Sequence, residues 1–176
     1  AAEVYRFVLG FDYSWGSIRA ARELLRRGTW RHRRRVEGTL TEPVTYTAPP
    51  ARNLEFIVAD VQHPPLPRHR AAAVAGMHLL DRVPDPFAAL DALDNLLMPS
   101  GRLVLTASFS WDAAYAATER WLGGTPEAGE SLPNLIRLLE AKGYSGLSTQ
   151  EVCLVIRETR RFYQVSCGAL VTGRKR

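Results

Sequence analysis

Twice in its first sixty residues the chain runs through a short apolar stretch that stops at an aspartate. The two are Val8-Leu9-Gly10-Phe11-Asp12 and Leu54-Glu55-Phe56-Ile57-Val58-Ala59-Asp60. Short β-branched and aromatic runs of this kind read as strands, the first over residues 4–11. Ser14 follows the first acid as a helix N-cap, and Ile18, Ala21, Leu24 and Leu25 recur at helical spacing behind it. Gly28 stands where that helix should end. A strand, an acid and a capped helix together specify an α/β chain, in which ligands bind beyond the carboxyl ends of the strands.

The alternation continues. Prolines 64, 65 and 67 interrupt the chain, and Ala71 to Met77 is a third apolar run, with His78 after it. Asp85 caps a helix whose first turn holds Pro86 and whose buried face is Phe87, Leu90, Leu93, Leu96 and Leu97. Pro99-Ser100-Gly101 turns into a fourth strand, Arg102–Thr106. An aromatic segment follows with Phe109, Trp111, Tyr115 and Trp121, the middle pair at i, i+4 spacing. A helix over 132–142 and two strand runs, 152–156 and 162–171, complete the pattern as an antiparallel hairpin. The expected fold is therefore α/β: a Rossmann-like, doubly wound, mostly parallel sheet closed by a C-terminal hairpin, in one domain over 1–176. Residues 29–52 are polar and hold Pro43, Pro49 and Pro50, so they read as a long loop insert.

Composition narrows the class of protein. Apolar residues make up 46% and charged residues 23% of the 176, as in a soluble globular domain. No apolar run approaches the roughly 20 residues that span a bilayer, and no signal peptide is evident, so no membrane and a cytoplasmic location are expected. Cys153 and Cys167 lie in apolar strand-like runs and read as two small buried hydrophobes. The net charge of +5 is carried almost wholly by arginine, with six between Arg26 and Arg35. They read as a solvated helix end and loop, which makes nucleic acid an unfavoured partner; a patch for phosphates or nucleic acid is the competing reading.

Asp12, Asp60 and His78 place polar groups at three successive strand ends. Asp12 could accept from both hydroxyls of a ribose, with Tyr13 and Ser14 beside it, and Asp60 from an exocyclic adenine amine, with Val61 beside it. Against this, turns favour aspartate for reasons of their own. His78 could act as a base at a transfer site or serve only as a structural hydrogen bonder. His32, His63 and His69 lack metal-ligand spacing and read as surface residues, and no metal is expected.

These features resemble the class I methyltransferases that use S-adenosylmethionine. The resemblance rests on Leu9-Gly10-Phe11-Asp12-Tyr13-Ser14 with Ala21-Arg22, on Ala59-Asp60 before Pro65-Leu66-Pro67, and on Leu97-Met98-Pro99-Ser100-Gly101. It implies S-adenosylmethionine as cofactor, with Asp12, Tyr13, Ser14, Asp60, Val61 and His78 on the cofactor side and His78 as the catalytic candidate. A narrower resemblance, to the C-terminal methyltransferase domain of ovothiol synthase, rests on Leu79-Leu80-Asp81-Arg82, Trp121-Leu122-Gly123-Gly124 and Ile156-Arg157-Glu158-Thr159. It implies methylation of an imidazole nitrogen of a thiol-bearing histidine, a small-molecule acceptor. It also implies Trp111, Tyr115, Trp121, Arg157 and Glu158 as substrate-side residues.

The departures are specific. The family's first strand and its Gly-x-Gly loop have no counterpart here, Ala72 stands where an acid often begins the fourth strand, and His78 stands near an expected asparagine. The reading is thus of a fold incomplete at its N-terminus, with an upstream domain or a partner chain to supply the strand. Two alternatives accompany it: a non-catalytic, partner-completed interaction module, and an RNA methyltransferase prompted by Arg26 to Arg35.

Overall fold

A computed structural model describes residues 4–176. They group into two compact units. The first takes residues through Pro64 together with Val155–Gln164; the second takes Pro65–Leu154 and Val165–Arg176.

In the first unit, β1 (Val8–Asp12) and β4 (Leu54–Val58) pair in parallel, from Val8 opposite Leu54 to Asp12 opposite Val58. Gly10 permits that pairing: a Cβ there would lie 2.6 Å from the Phe56 ring. The strand begins at Val8, later than the apolar composition suggested. Helix α1 (Trp15–Arg27) follows, with the Ser14 side chain accepting from the Ser17 amide and Gly28 ending it at φ +69°. Both caps stand where expected.

The segment read as a loop insert is a β-hairpin: β2 (Thr29–Glu37) and β3 (Leu40–Thr47) pair antiparallel. Trp30, His32, Arg34 and Val36 alternate with exposed residues, so one face is sheltered and the other solvated. Trp30, His32 and Tyr46 stack on the sheltered face, with ring centroids 4.5 to 5.8 Å apart. His32 is therefore not a surface residue. Pro43 is tolerated because each strand of a two-stranded ribbon has an edge that needs no amide donor.

In the second unit, β5 (Ala71–Met77) pairs in parallel with β6 (Leu97–Ala107) across helix α2 (Pro86–Leu96). Asp85 caps α2, accepting from the Phe87 and Ala88 amides at 3.0 Å each. Helix α3 (Ser131–Ala141) leads into β7 (Tyr144–Arg157) and β8 (Tyr163–Lys175), and the sheet order is β5-β6-β8-β7. β8 runs antiparallel to β6, from Arg102 opposite Arg174 to Ala107 opposite Ala169. Leu80, Leu97, Leu105, Leu135, Leu139 and Val171 are fully buried and form the core. Each such side chain contributes about 1.5–3 kcal/mol of burial. The mixed α/β architecture with parallel pairs and a closing hairpin is the one expected.

Cys153 and Cys167 depart from expectation. They are exposed and joined in a disulfide across β7 and β8, with Cα atoms 4.1 Å apart. Their apolar neighbours Leu154, Val155 and Ile156 are exposed as well, so the run's hydrophobicity does not translate into burial. No described helix is long and apolar enough to cross a membrane.

Candidate functional site

In the first unit the parallel register brings both strand-end acids to one end of the β1–β4 pair, and the Ala59 amide donates to the Asp12 carbonyl at 3.1 Å. Asp12 Oδ1 accepts from the Ser14 amide at 2.7 Å, which closes the turn into α1. Its other carboxylate oxygen is engaged by no described residue, and the side chain is exposed. One carboxylate thus serves as a helix-entry turn and keeps an acceptor in reserve. The Ser14 hydroxyl is committed to its cap at 3.2 Å. Tyr13 is 83% exposed at the same corner. Asp60 Oδ1 accepts from the Gln62 amide at 2.9 Å, its Oδ2 lies 3.3 Å from His63 Nδ1, and Val61 is half-buried beside it.

Arg157 and Glu158 also lie in this unit, at the turn of the β7–β8 hairpin, but they do not pair with each other. Arg157 Nε donates to the Thr159 carbonyl at 3.0 Å, its guanidinium lies 3.8 Å from Glu42, and the Glu158 amide donates to Phe162 at 3.0 Å. Glu42 is the hub here. Arg34 donates to its Oε1 at 2.7 and 3.1 Å, and Arg160 lies 3.9 Å from its Oε2. The Arg34 hydrogen bonds hold the Glu42 carboxyl below the usual range, helped by the charges of Arg157 and Arg160.

In the second unit two non-glycine residues beyond adjacent parallel strands adopt left-handed backbone: His78 after β5 at φ +47°, and Phe109 after β6 at φ +53°. Such conformations carry a cost and concentrate at functional sites. The His78 amide donates to Thr106 Oγ1 at 2.9 Å, which ties the end of β5 to β6, and its imidazole is half-buried. Asp81, 1% exposed, binds the same two loops together. Its Oδ2 accepts from Ser108 Oγ at 2.6 Å and from the Ser110 amide at 3.1 Å, while its Oδ1 is buried without a partner. Sequence reasoning used Asp81 only as part of a motif. The signal that could have found it is a carboxylate directly after the apolar pair Leu79-Leu80.

Trp111 and Trp121 stack with centroids 5.9 Å apart. Both indole N–H groups are spent on protein: Trp111 donates to Ser131 Oγ at 2.8 Å and Trp121 to the Ala116 carbonyl at 2.9 Å. Gly124, at φ +88°, makes room, since a Cβ there would lie 2.9 Å from the Trp111 ring. Trp111 lies in an irregular segment and Tyr115 in a turn, not on a helix, so their i, i+4 spacing does not make them neighbours on one face. Tyr115 instead packs under Arg82, whose guanidinium lies 4.9 Å from the ring centroid. Beside Phe109 a cavity of about 420 Å³ is lined by Leu132, Thr149, Glu151, Cys167 and Gly168, a size suited to a small molecule.

No protein-family model and no curated protein matches the chain. Solved structures do. An S-adenosylmethionine-dependent methyltransferase of Methanosarcina mazei is 17% identical, with 99% of this chain and 84% of that one covered at a TM-score of 0.60. The YcgJ protein of Bacillus subtilis is 13% identical, with 99% and 85% covered at 0.62. A structure described as converting a disulfide bond into a thioacetal group during echinomycin biosynthesis is 18% identical, with 99% and 68% covered at 0.60. At these identities the likeness establishes the fold: a Rossmann-like methyltransferase fold.

Proposed function

We propose that this chain is an S-adenosylmethionine-dependent methyltransferase domain acting on a small molecule. The observation that carries the reading is Asp12. It ends a parallel strand, its backbone turn is closed by one carboxylate oxygen, and the other oxygen is exposed and unengaged. That is the donor-seeking group a ribose diol needs, at the sheet end where this fold binds ligands. Asp60, whose oxygens are also shared with the Gln62 amide and His63, and the backbone at Val61 would meet the adenine amine and ring nitrogens. When bound, S-adenosylmethionine supplies a methyl group on an excellent leaving group, so positioning and exclusion of water are what remain for the protein.

The acceptor reading is finer. An imidazole nitrogen of a thiol-bearing histidine is favoured by the short motifs around Leu79–Arg82, Trp121–Gly124 and Ile156–Thr159. The Trp111–Trp121 stack would provide an aromatic wall for such a ring. His78 would accept the proton released from the attacking nitrogen. The test is calorimetric titration with S-adenosylhomocysteine. Asp12→Ala should weaken binding tenfold or more, the loss expected for hydrogen bonds to a charged group worth about 1.5–3 kcal/mol. Binding unaffected by Asp12→Ala would overturn the reading.

A second reading has an observation of its own. Among the described residues, β1 pairs on one edge only, with β4, and β5 on one edge only, with β6. Free edges accept strands, so a module completed by a strand from elsewhere is the alternative. It predicts no S-adenosylhomocysteine binding under any condition.

A further inference from the structure

The hairpin of β2 and β3 sorts its charges by face. On the sheltered face Arg34 stands opposite Glu42 and pairs with it. On the outer face Arg31, Arg33 and Arg35 project at every second residue, all exposed. The residues directly opposite them on β3 are Thr45, Pro43 and Thr41. No carboxylate is opposed to this row, and among the described residues none forms an ion pair with it. Arg33 donates to the Thr41 hydroxyl and carbonyl at 2.6 and 3.0 Å; among the described residues the side chains of Arg31 and Arg35 have no hydrogen-bonding partner. Glu37, the one carboxylate on β2, lies past a bulge at the ribbon's end and pairs with none of the three.

The imbalance is local. Residues 1–64 with 155–164 hold 13 arginines against 8 acidic residues, which accounts for the whole net charge of +5, while the second unit holds 10 basic against 10 acidic residues. A ribbon selected for stability alone would oppose these arginines with glutamates, as it does for Arg34 on its other face.

We propose that the outer face of this ribbon binds the phosphodiester backbone of single-stranded nucleic acid. Strand geometry spaces the Cα atoms of the three arginines at about 6.6–6.8 Å, a linear repeat from which their side chains can reach successive phosphates of an extended strand. Guanidinium forks bind phosphate oxygens bidentately, and flanking threonine hydroxyls at 29, 41, 45 and 47 add neutral donors. The aromatic side chains are turned to the other face, so this surface reads backbone and not bases. It also presents no large apolar side chain alongside the arginine row to enter a lipid bilayer. The row uses neither of the acids at the end of β1 and β4, and its test is independent of methyl transfer.

The experiment measures binding of the whole chain to a fluorescent oligouridylate as salt is varied. Removing three phosphate contacts should flatten the log–log salt slope by about 2, or take a roughly twentyfold part out of the affinity loss between 50 and 200 mM salt. The triple variant R31Q/R33Q/R35Q should show this. The double variant R31Q/R35Q, which leaves the Arg33–Thr41 bonds intact, should flatten the slope by about 1.4. A control, R68Q/R70Q/R102Q, makes the same charge change on exposed arginines of the second unit and should leave the slope within about half a unit. Equal losses in the stripe and control variants would overturn the proposal, as would wild-type binding that does not vary with salt, or no binding. Displacement of the oligonucleotide by polyglutamate at equal charge, or stronger binding to phosphatidylserine vesicles than to the oligonucleotide, would also overturn it, in favour of an acidic protein or a membrane.

Discussion

Asp81→Ala is the substitution whose cost the geometry sets most fully. It removes a buried acceptor of two hydrogen bonds, from Ser108 Oγ at 2.6 Å and from the Ser110 amide at 3.1 Å. Hydrogen bonds to a charged group contribute about 1.5–3 kcal/mol each, so the gross loss is about 3–6 kcal/mol. Against this, the variant no longer buries the unpartnered Oδ1, which relieves about 1–3 kcal/mol. Ser110 is exposed, so water recovers part of its amide's loss. The midpoints of these ranges, less the part recovered by water, leave a net cost of about 2 kcal/mol. Urea unfolding followed by fluorescence suits the measurement, because Trp111 and Trp121 lie just after the Ser108–Ser110 loop. The midpoint should fall with an unchanged m-value. Asp81→Asn keeps one accepting oxygen and should cost about half as much. In a double-mutant cycle, Asp81→Ala and Ser108→Ala should couple by about 1 kcal/mol or more. A cost for Asp81→Ala below about 0.5 kcal/mol, or zero coupling, would refute the idea that this carboxylate staples the loops after β5 and β6.

Other outcomes follow from single contacts. The Tyr144 hydroxyl donates to Asp94 Oδ1 at 2.8 Å, and its pKa is raised by burial, then by that hydrogen bond, and last by the Asp94 charge. Above about pH 10 the unfolded chain releases this proton and the folded chain keeps it, so stability should fall by about 1.4 kcal/mol per pH unit. Tyr144→Phe should remove that increment, seen as urea midpoints that decline less steeply than wild type between about pH 9 and 11; identical slopes would contradict it. Reducing the Cys153–Cys167 bond, whose cysteines are 14 residues apart, should cost about 3 kcal/mol by freeing a loop of that size. Because both cysteines are exposed, mild reductant should produce the shift, and Cys153→Ser/Cys167→Ser should match it without reductant.

Much of the architecture was legible because local signals agreed with one another. Ser14 and Gly28 bracket α1, Asp85 and Pro86 open α2, and the apolar runs before Asp12 and Asp60 are the paired strands. The β2–β3 hairpin was hidden for a physical reason. Its alternation is of Trp30, His32 and Arg34 against Arg31, Arg33 and Arg35, and an arginine that pairs inward is indistinguishable in sequence from one that faces water. Pro43 and the flanking prolines added a loop-like composition to a ribbon whose edges tolerate them. The disulfide was missed because an apolar strand run usually means burial, whereas the distal part of β7 exposes both faces. In the candidate site, Asp12 and Asp60 could be read at strand ends. The part of Asp81 could not, since it depends on Ser108 and Ser110, which lie 27 and 29 residues away.

The central claim is that the end of β1 and β4 holds the ribose and adenine of S-adenosylmethionine. The most direct test is residue-resolved amide chemical shifts during titration with S-adenosylhomocysteine. The account predicts saturable shifts at Tyr13, Ser14 and Val61, with those at Tyr13 and Ser14 lost in Asp12→Ala. An absence of shifts at these three amides at saturating ligand, or shifts confined to other parts of the chain, would contradict it.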